Sequence, residues 1–167
     1  GVEIGEQRLG EIFLNLQKKG AHNINLVTGE HFAPHIKAAV IAARKAGLNV
    51  PVILNSSGYV SQETLELLKD IIDIYLVDFK YMDPDLAKNY SMAYDYPAVT
   101  KAAISKMVAL TGEPRFDKNG ILKSGVLVRH LCLPSHTDDS KEIIRYIFET
   151  YGRKLLLSIM SQYTPCG

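Results

Sequence analysis

The sequence predicts an α/β fold, a partial, open (β/α) barrel of parallel strands. Three observations carry that reading. Segments with helical spacing of apolar residues alternate with short apolar runs, the pattern of parallel strands joined by helical crossovers. Polar residues recur at the C-terminal ends of those runs, where a (β/α) barrel carries its chemistry. Neither GxGxxG nor GxxxxGK[ST] is present, which argues against a flat doubly wound nucleotide-binding sheet. The strands expected are too few to close an eight-stranded barrel, so the chain is either a smaller open barrel or a piece of a longer one. No repeat, low-complexity tract or linker-like shift divides residues 1–167, which read as a single domain.

The first helix is expected over Glu6–Lys19, where Leu9, Ile12, Phe13 and Leu16 recur at helical spacing and Gly20 supplies a stop. Ile24–Val27 reads as the first strand and ends at Thr28-Gly29-Glu30. A helix after Pro34 runs through Ile36, Val40 and Ala43 to Gly47, and Val50–Leu54 is the second strand, closed by Asn55-Ser56-Ser57-Gly58. Ser61 caps a third helix with Leu65 and Leu68 on its buried side. Ile72–Lys80 is the third strand, and a polar connection from Asp83 to Tyr96 leads to a helix over Pro97–Thr111. Glu113–Ser124 reads as a turn excursion. Val126–Leu131 is the fourth strand, a helix through Ile143 and Ile147 follows, and Leu155–Met160 is the last strand.

Composition narrows the function classes. With 47% hydrophobic and 22% charged residues the chain is globular, not collagen-like, mucin-like or disordered. Nineteen basic against eighteen acidic residues leave a net charge of +1, without the basic excess of a nucleic-acid binder. No apolar run approaches the ~18 residues of a membrane span, and Gly1–Glu6 does not resemble a signal peptide. Cys132 and Cys166 are distant and form no CxxC, so no disulfide framework and a cytoplasmic location are expected.

Asp78 and Lys80 are two apart on a strand, so both share the face of Ile74 and Leu76 at the barrel mouth. A lysine there serves as a point charge for a carboxylate or as a Schiff-base nucleophile; the plain alternative is a salt-bridged pair. Thr28-Gly29-Glu30 brings a carboxylate and a flexible backbone to the end of the first strand, for a ligand or merely as a helix-entry turn. Of Arg129 and His130, the arginine falls on the interior face with Leu127 and Leu131, and its fork geometry suits a carboxylate. His130 is then a satisfied core histidine. Asn55, Ser57, Gln162 and Tyr163 complete the polar strand ends. His22, His31, His35 and His136 form no metal-ligand spacing, no metal ligands are assigned, and Cys132 reads as a small buried hydrophobe.

Five stretches in order resemble a known family: Gly20–Thr28, Asn55–Tyr59, Asp73–Tyr81, Leu127–Pro134 and Met160–Tyr163. Together they are similar to the radical S-adenosylmethionine (SAM) proteins of the pyruvate formate-lyase activating enzyme type. That resemblance implies a six-stranded open barrel, of which about five strands are represented here. It also implies a [4Fe-4S] cluster on CxxxCxxC, SAM chelated at the cluster, and reductive cleavage to a 5′-deoxyadenosyl radical. Thr28-Gly29-Glu30 matches the GGE motif at the methionyl amino group, with Thr in place of the first Gly. Asp78 and Lys80 match a DxK near SAM, Asn55 and Ser57 the third-strand polar residues, Arg129 an arginine near the SAM carboxylate, and Gln162 and Tyr163 residues near the adenosine. The implied partners of the parent protein are a glycyl radical enzyme, activated by hydrogen abstraction, and an electron donor such as flavodoxin or ferredoxin.

CxxxCxxC is absent, and the first helix corresponds to the one that follows the cluster loop. The resemblance therefore implies a truncated radical SAM barrel core, inactive as it stands and with no cofactor bound. Two other readings stay open: a barrel aldolase or lyase with Lys80 as its Schiff-base residue, and a non-catalytic barrel remnant acting as a binding module. A missing first strand would leave residues 23–28 as an open edge, so self-association there is expected, with exchange at Ile24 and Leu26 as its reporter.

Overall fold

The structure is a computed structural model that describes residues 3–161. Its elements are α1 (Glu6–Lys18), β1 (Ile24–Val27), a 3-10 turn (Gly29–Phe32), α2 (Ala33–Lys45), β2 (Val52–Ser56), α3 (Gln62–Leu68), β3 (Ile74–Asp78), α4 (Pro84–Ser91), α5 (Tyr96–Thr111), β4 (Arg115–Phe116), β5 (Leu122–Leu131), α6 (Thr137–Tyr151) and β6 (Leu156–Met160). Five strands run parallel in the order β1-β2-β3-β5-β6. Strands that follow one another in space as they do in sequence, with helices gathered on one face, are wound like part of a barrel, as the sequence predicts.

The two faces differ as the pleat requires. Ile24, Leu26, Val52, Leu54, Tyr75, Val77, Val126 and Val128 point to one side and are buried with Ile36, Val40, Leu65, Leu68, Ile104, Met107 and Ile143 from the helices. The other side carries Asn25, Val27, Ile53, Asn55, Leu76, Asp78, Leu127 and Arg129, which are half or fully exposed. Register stacks this open face in layers. Val27, Asn55, Leu76, Leu127 and Leu156 share one level, Asp78, Arg129 and Ser158 the next, and Leu131 and Met160 the one above.

Several expectations change in detail. The connection Asp83–Tyr96 contains α4, started by Asp83, whose carboxylate accepts the Asp85 N–H at 2.7 Å, and by Pro84. The excursion Glu113–Ser124 is a hairpin: β4 pairs antiparallel with the start of β5, around a turn in which Asp117 accepts N–H groups from Asn119 and Ile121. Cys132 is half-buried and free, not fully buried. At β1, the N–H of Ile24 goes to Pro51 O and that of Thr28 to Asn55 O, so on this side alternate amides face β2. Among the described residues β1 pairs only with β2. The amides that report on its free edge are therefore Asn25 and Val27, in place of Ile24 and Leu26.

Candidate functional site

The candidate residues gather where the strands end. At the top of β3 and β5, Arg129 Nε donates to Asp78 Oδ1 at 2.8 Å, and its Nη2 lies 2.8 Å from the same oxygen. Nη2 also donates to Asn55 Oδ1 at 2.9 Å. One guanidinium thus ties three strands together and, among the described residues, has Nη1 left over. The side chains of Arg129 and Asp78 keep 30% and 25% of their exposure, so the pair is half-buried and still within reach of a ligand. Asp78 pairs with Arg129 here, and the Asp78–Lys80 salt bridge allowed for by the sequence does not form. Lys80 instead lines an open groove of about 420 Å³ with Asp78, Tyr81, Arg129, Leu131, Leu133 and Met160. The groove has a charged floor and an apolar wall.

The end of β1 is built differently. Thr28 holds a left-handed backbone, φ 53 and ψ 39, with no side-chain capping bond. A β-branched residue in that region is strained. Gly29 is buried, and a Cβ on it would come within 2.9 Å of Ile36 Cδ1. Packing under the 3-10 turn is thus one reason for this glycine. Glu30 Oε2 is buried and has no hydrogen-bond partner among the described residues. A buried carboxylate oxygen left unpaired is costly, and such a site suits a donor supplied from outside the chain.

Ser57 enters through its backbone. Its side chain is exposed, while its carbonyl lies 2.9 Å from the hydroxyl of Tyr96. Tyr96 was absent from the sequence-based site; it opens α5 one residue ahead of the expected start at Pro97. It is buried, its hydroxyl accepts the Lys80 N–H at 3.0 Å, and it lies 2.9 Å from Asp78 O. Burial pushes the pKa of this hydroxyl well above the usual tyrosine value, so it remains a donor. Gly58, at φ +85, passes so close to β3 that a Cβ would lie 2.4 Å from Asp78 O. Tyr81, Leu133 and Met160 are the other groove residues that residue-by-residue reading missed; Leu131, expected on the interior face, also lines the groove, and the β5–β6 register puts it beside Met160. Gln162 and Tyr163 lie outside the described residues.

These residues suit one of the two implied cofactors and not the other. For SAM the chemistry of the donor set fits: an unpaired buried carboxylate for an ammonium, a guanidinium and a lysine for a carboxylate, and an apolar wall. For an iron–sulfur cluster it does not. Among the described residues no three His, Cys, Asp or Glu side chains come together, and the free Cys132 stands alone.

Known proteins share this architecture. No family model matches the chain. The uncharacterized protein MJ0674 of Methanocaldococcus jannaschii is 28% identical over 148 residues, which cover 86% of this chain and 38% of that protein. SuiB of Streptococcus suis bound to S-adenosylmethionine superposes with a TM-score of 0.63 at 10% identity, over 96% of this chain and 35% of SuiB. SuiB bound to the precursor peptide SuiA gives 0.58 at 11% identity, over 97% of this chain and 34% of that one. At such identity the likeness is one of fold. The chain spans well under half the length of each of these proteins. Among the described residues no helix is long and apolar enough to cross a membrane.

Proposed function

We propose that this chain is the SAM-binding core of a radical SAM enzyme. The observation that carries the reading is the Asp78–Arg129–Asn55 network at the C-terminal strand ends, beside Lys80, on a fold shared with a protein whose structure holds SAM. The five sequence stretches that resemble this superfamily supply the same residues.

In this reading Glu30 accepts hydrogen bonds from the methionyl ammonium through the oxygen that lacks a partner. Arg129 offers its remaining N–H groups to the methionyl carboxylate, and Lys80 adds a point charge beside it. Asn55 and Asp78 are positioning residues: the Oδ1 of each accepts from the guanidinium and orients it. Leu131, Leu133 and Met160 exclude water from one wall of the groove. SAM held by these residues would supply, given an electron from outside the described residues, the hydrogen-abstracting chemistry of the superfamily. The donor set for the cluster is not among the described residues.

The finer reading is an activase of a glycyl radical enzyme, served by a flavodoxin or ferredoxin. It rests on the motif resemblance, and a polypeptide target is in keeping with SuiB having been solved with a precursor peptide. The test is an NMR titration of the chain with SAM. Millimolar binding is expected, with the largest shifts at Glu30, Lys80 and Arg129. No shift at these residues at tens of millimolar SAM, or shifts confined elsewhere, would overturn the assignment.

A further inference from the structure

We infer that His130, backed by Ser140, is a positioning residue that holds the Asp78–Lys80 segment and so sets where Asp78 and Lys80 stand in the groove; the inference rests on the groove being the cofactor site. The sheet runs out under these residues. The last pair between β2 and β3 is Ser56↔Val77, and the last between β3 and β5 is Asp78↔Arg129. Past that point Phe79 N–H still reaches Arg129 O at 2.9 Å. The Phe79 carbonyl is held by a side chain: His130 Nδ1 lies 2.7 Å from it, and Nε2 lies 2.9 Å from Ser140 Oγ.

The geometry assigns one proton. A carbonyl only accepts, so Nδ1 carries a hydrogen; Nε2 meets the Ser140 hydroxyl, whose other and longer contact, 3.4 Å, is to the carbonyl of His136. Val126 and Val128 precede His130 on the same strand face, and all three are essentially without exposure. Packing alone would be served by a third aliphatic residue. Burying an imidazole costs free energy unless both nitrogens are bonded, and here both are.

The second anchor comes from the preceding residue of the same helix. Asp139, adjacent to Ser140 in the first turn of α6, accepts the N–H groups of Met82 at 3.0 Å and Asp83 at 2.7 Å. The first turn of α6 therefore grips residues 79–83 at both ends, directly at Met82–Asp83 and through His130 at Phe79. Lys80 and Tyr81, both lining the groove, lie between the two grips. From the other side Tyr96 takes the Lys80 N–H. The backbone that carries Lys80 is thus fixed before any ligand arrives, which lowers the ordering cost of binding.

His130→Leu, His130→Asn and Ser140→Ala test the assignment. Asparagine can return an N–H donor to the Phe79 carbonyl without the rest of the ring. The readouts are thermal melting, ligand-free amide exchange at Phe79 and Lys80, the ¹⁵N shifts of the His130 ring, and SAM affinity by NMR titration. Loss of one net hydrogen bond corresponds to roughly 3–10-fold, so His130→Leu should weaken SAM binding and speed Lys80 exchange by about that factor. His130→Asn should recover SAM affinity to within about twofold while still melting below wild type, and Ser140→Ala should fall between. The inference is overturned if His130→Leu and His130→Asn both melt lower yet bind SAM like wild type, or if Nδ1 proves to carry no hydrogen. Absence of SAM binding by the wild type would sink the proposed function alone. Ligand-free exchange would then decide the positioning, with unchanged Lys80 exchange in His130→Leu counting against it. Should His130→Leu fail to fold, Ser140→Ala is read by the same measurements.

Discussion

At the end of β3, Asp78 has its partners; at the end of β1, Glu30 has an oxygen without one. The first carboxylate binds the Nε and Nη2 of Arg129, which reaches on to Asn55, and the backbone beyond it is held by Tyr96. The second sits behind a threonine in a left-handed conformation, with Oε2 buried and unpaired. One half of the site is already satisfied and preorganised. The other half carries strain and an unmet hydrogen bond. Functional sites often store local cost in this way, and under the proposed function the Glu30 half is the one that a ligand would complete.

The largest effect is expected at Gly58. Alanine there must hold φ +85 with its Cβ 2.4 Å from Asp78 O, a backbone atom that cannot swing aside. A loss of about 2–5 kcal/mol in urea unfolding is expected, from the left-handed cost plus overpacking. Gly29→Ala meets the tip of Ile36, a side chain that can rotate, and its φ is not in the left-handed region. It should cost clearly less. Equal losses at the two glycines would remove the distinction between a rigid β3 end and a yielding β1 end.

Arg129→Leu comes next. It leaves Asp78 half-buried and without its cation and strips Asn55 of its donor. About 1–3 kcal/mol of stability should be lost, the range for a partly buried charge deprived of its partner. Asp78→Asn keeps an oxygen acceptor and should lose less. Glu30→Gln should show the opposite profile: unfolding free energy within about 0.5 kcal/mol of wild type, because the removed charge had an unmet bond, and SAM affinity down about tenfold, because the ammonium loses a charge-assisted acceptor. A Glu30→Gln protein that unfolds early yet binds SAM normally would reverse the assignment of the two halves.

Most of this architecture was legible because parallel strands and their crossovers are written in local apolar spacing. The face of Arg129 followed from strand alternation, and its neighbours Leu127 and Leu131 are half-exposed on that open side as expected. The missing pieces lacked such a signal or had it hidden. α4 is short and polar, but Asp83-Pro84 is a helix start that outweighs its composition. β4 is only two residues long, Arg115–Phe116, and both are exposed. The expected strand at Val50–Leu54 begins later, at Val52, after Pro51, which has no N–H to give to a ladder. Tyr96 could not be found from spacing at all. Its hydroxyl meets Lys80 and Ser57 only because α5 folds back over two strand ends, a tertiary fact. The Asp78–Arg129 pairing is of the same kind, since the residues are 51 apart in the chain.

The smallest effect expected is a gain. Thr28 sits at φ 53, ψ 39 and its side chain makes no capping bond, so glycine removes a steric cost without removing a contact of that kind. Left-handed backbone costs a residue with a Cβ roughly 1–2 kcal/mol, and the greater freedom of glycine in the unfolded chain takes back about 0.5–1 kcal/mol. Thr28→Gly should therefore stabilise the protein by about 0.5 kcal/mol, seen as a slightly higher urea midpoint with an unchanged slope. Thr28→Ala keeps the Cβ and should bring little of that gain, which separates backbone strain from loss of the hydroxyl. SAM affinity should be preserved in both variants if this position serves the ligand through its backbone. A destabilised Thr28→Gly would mean that the threonine holds the β1 end in place, and the strained half of the site would then be as firmly built as the half around Asp78.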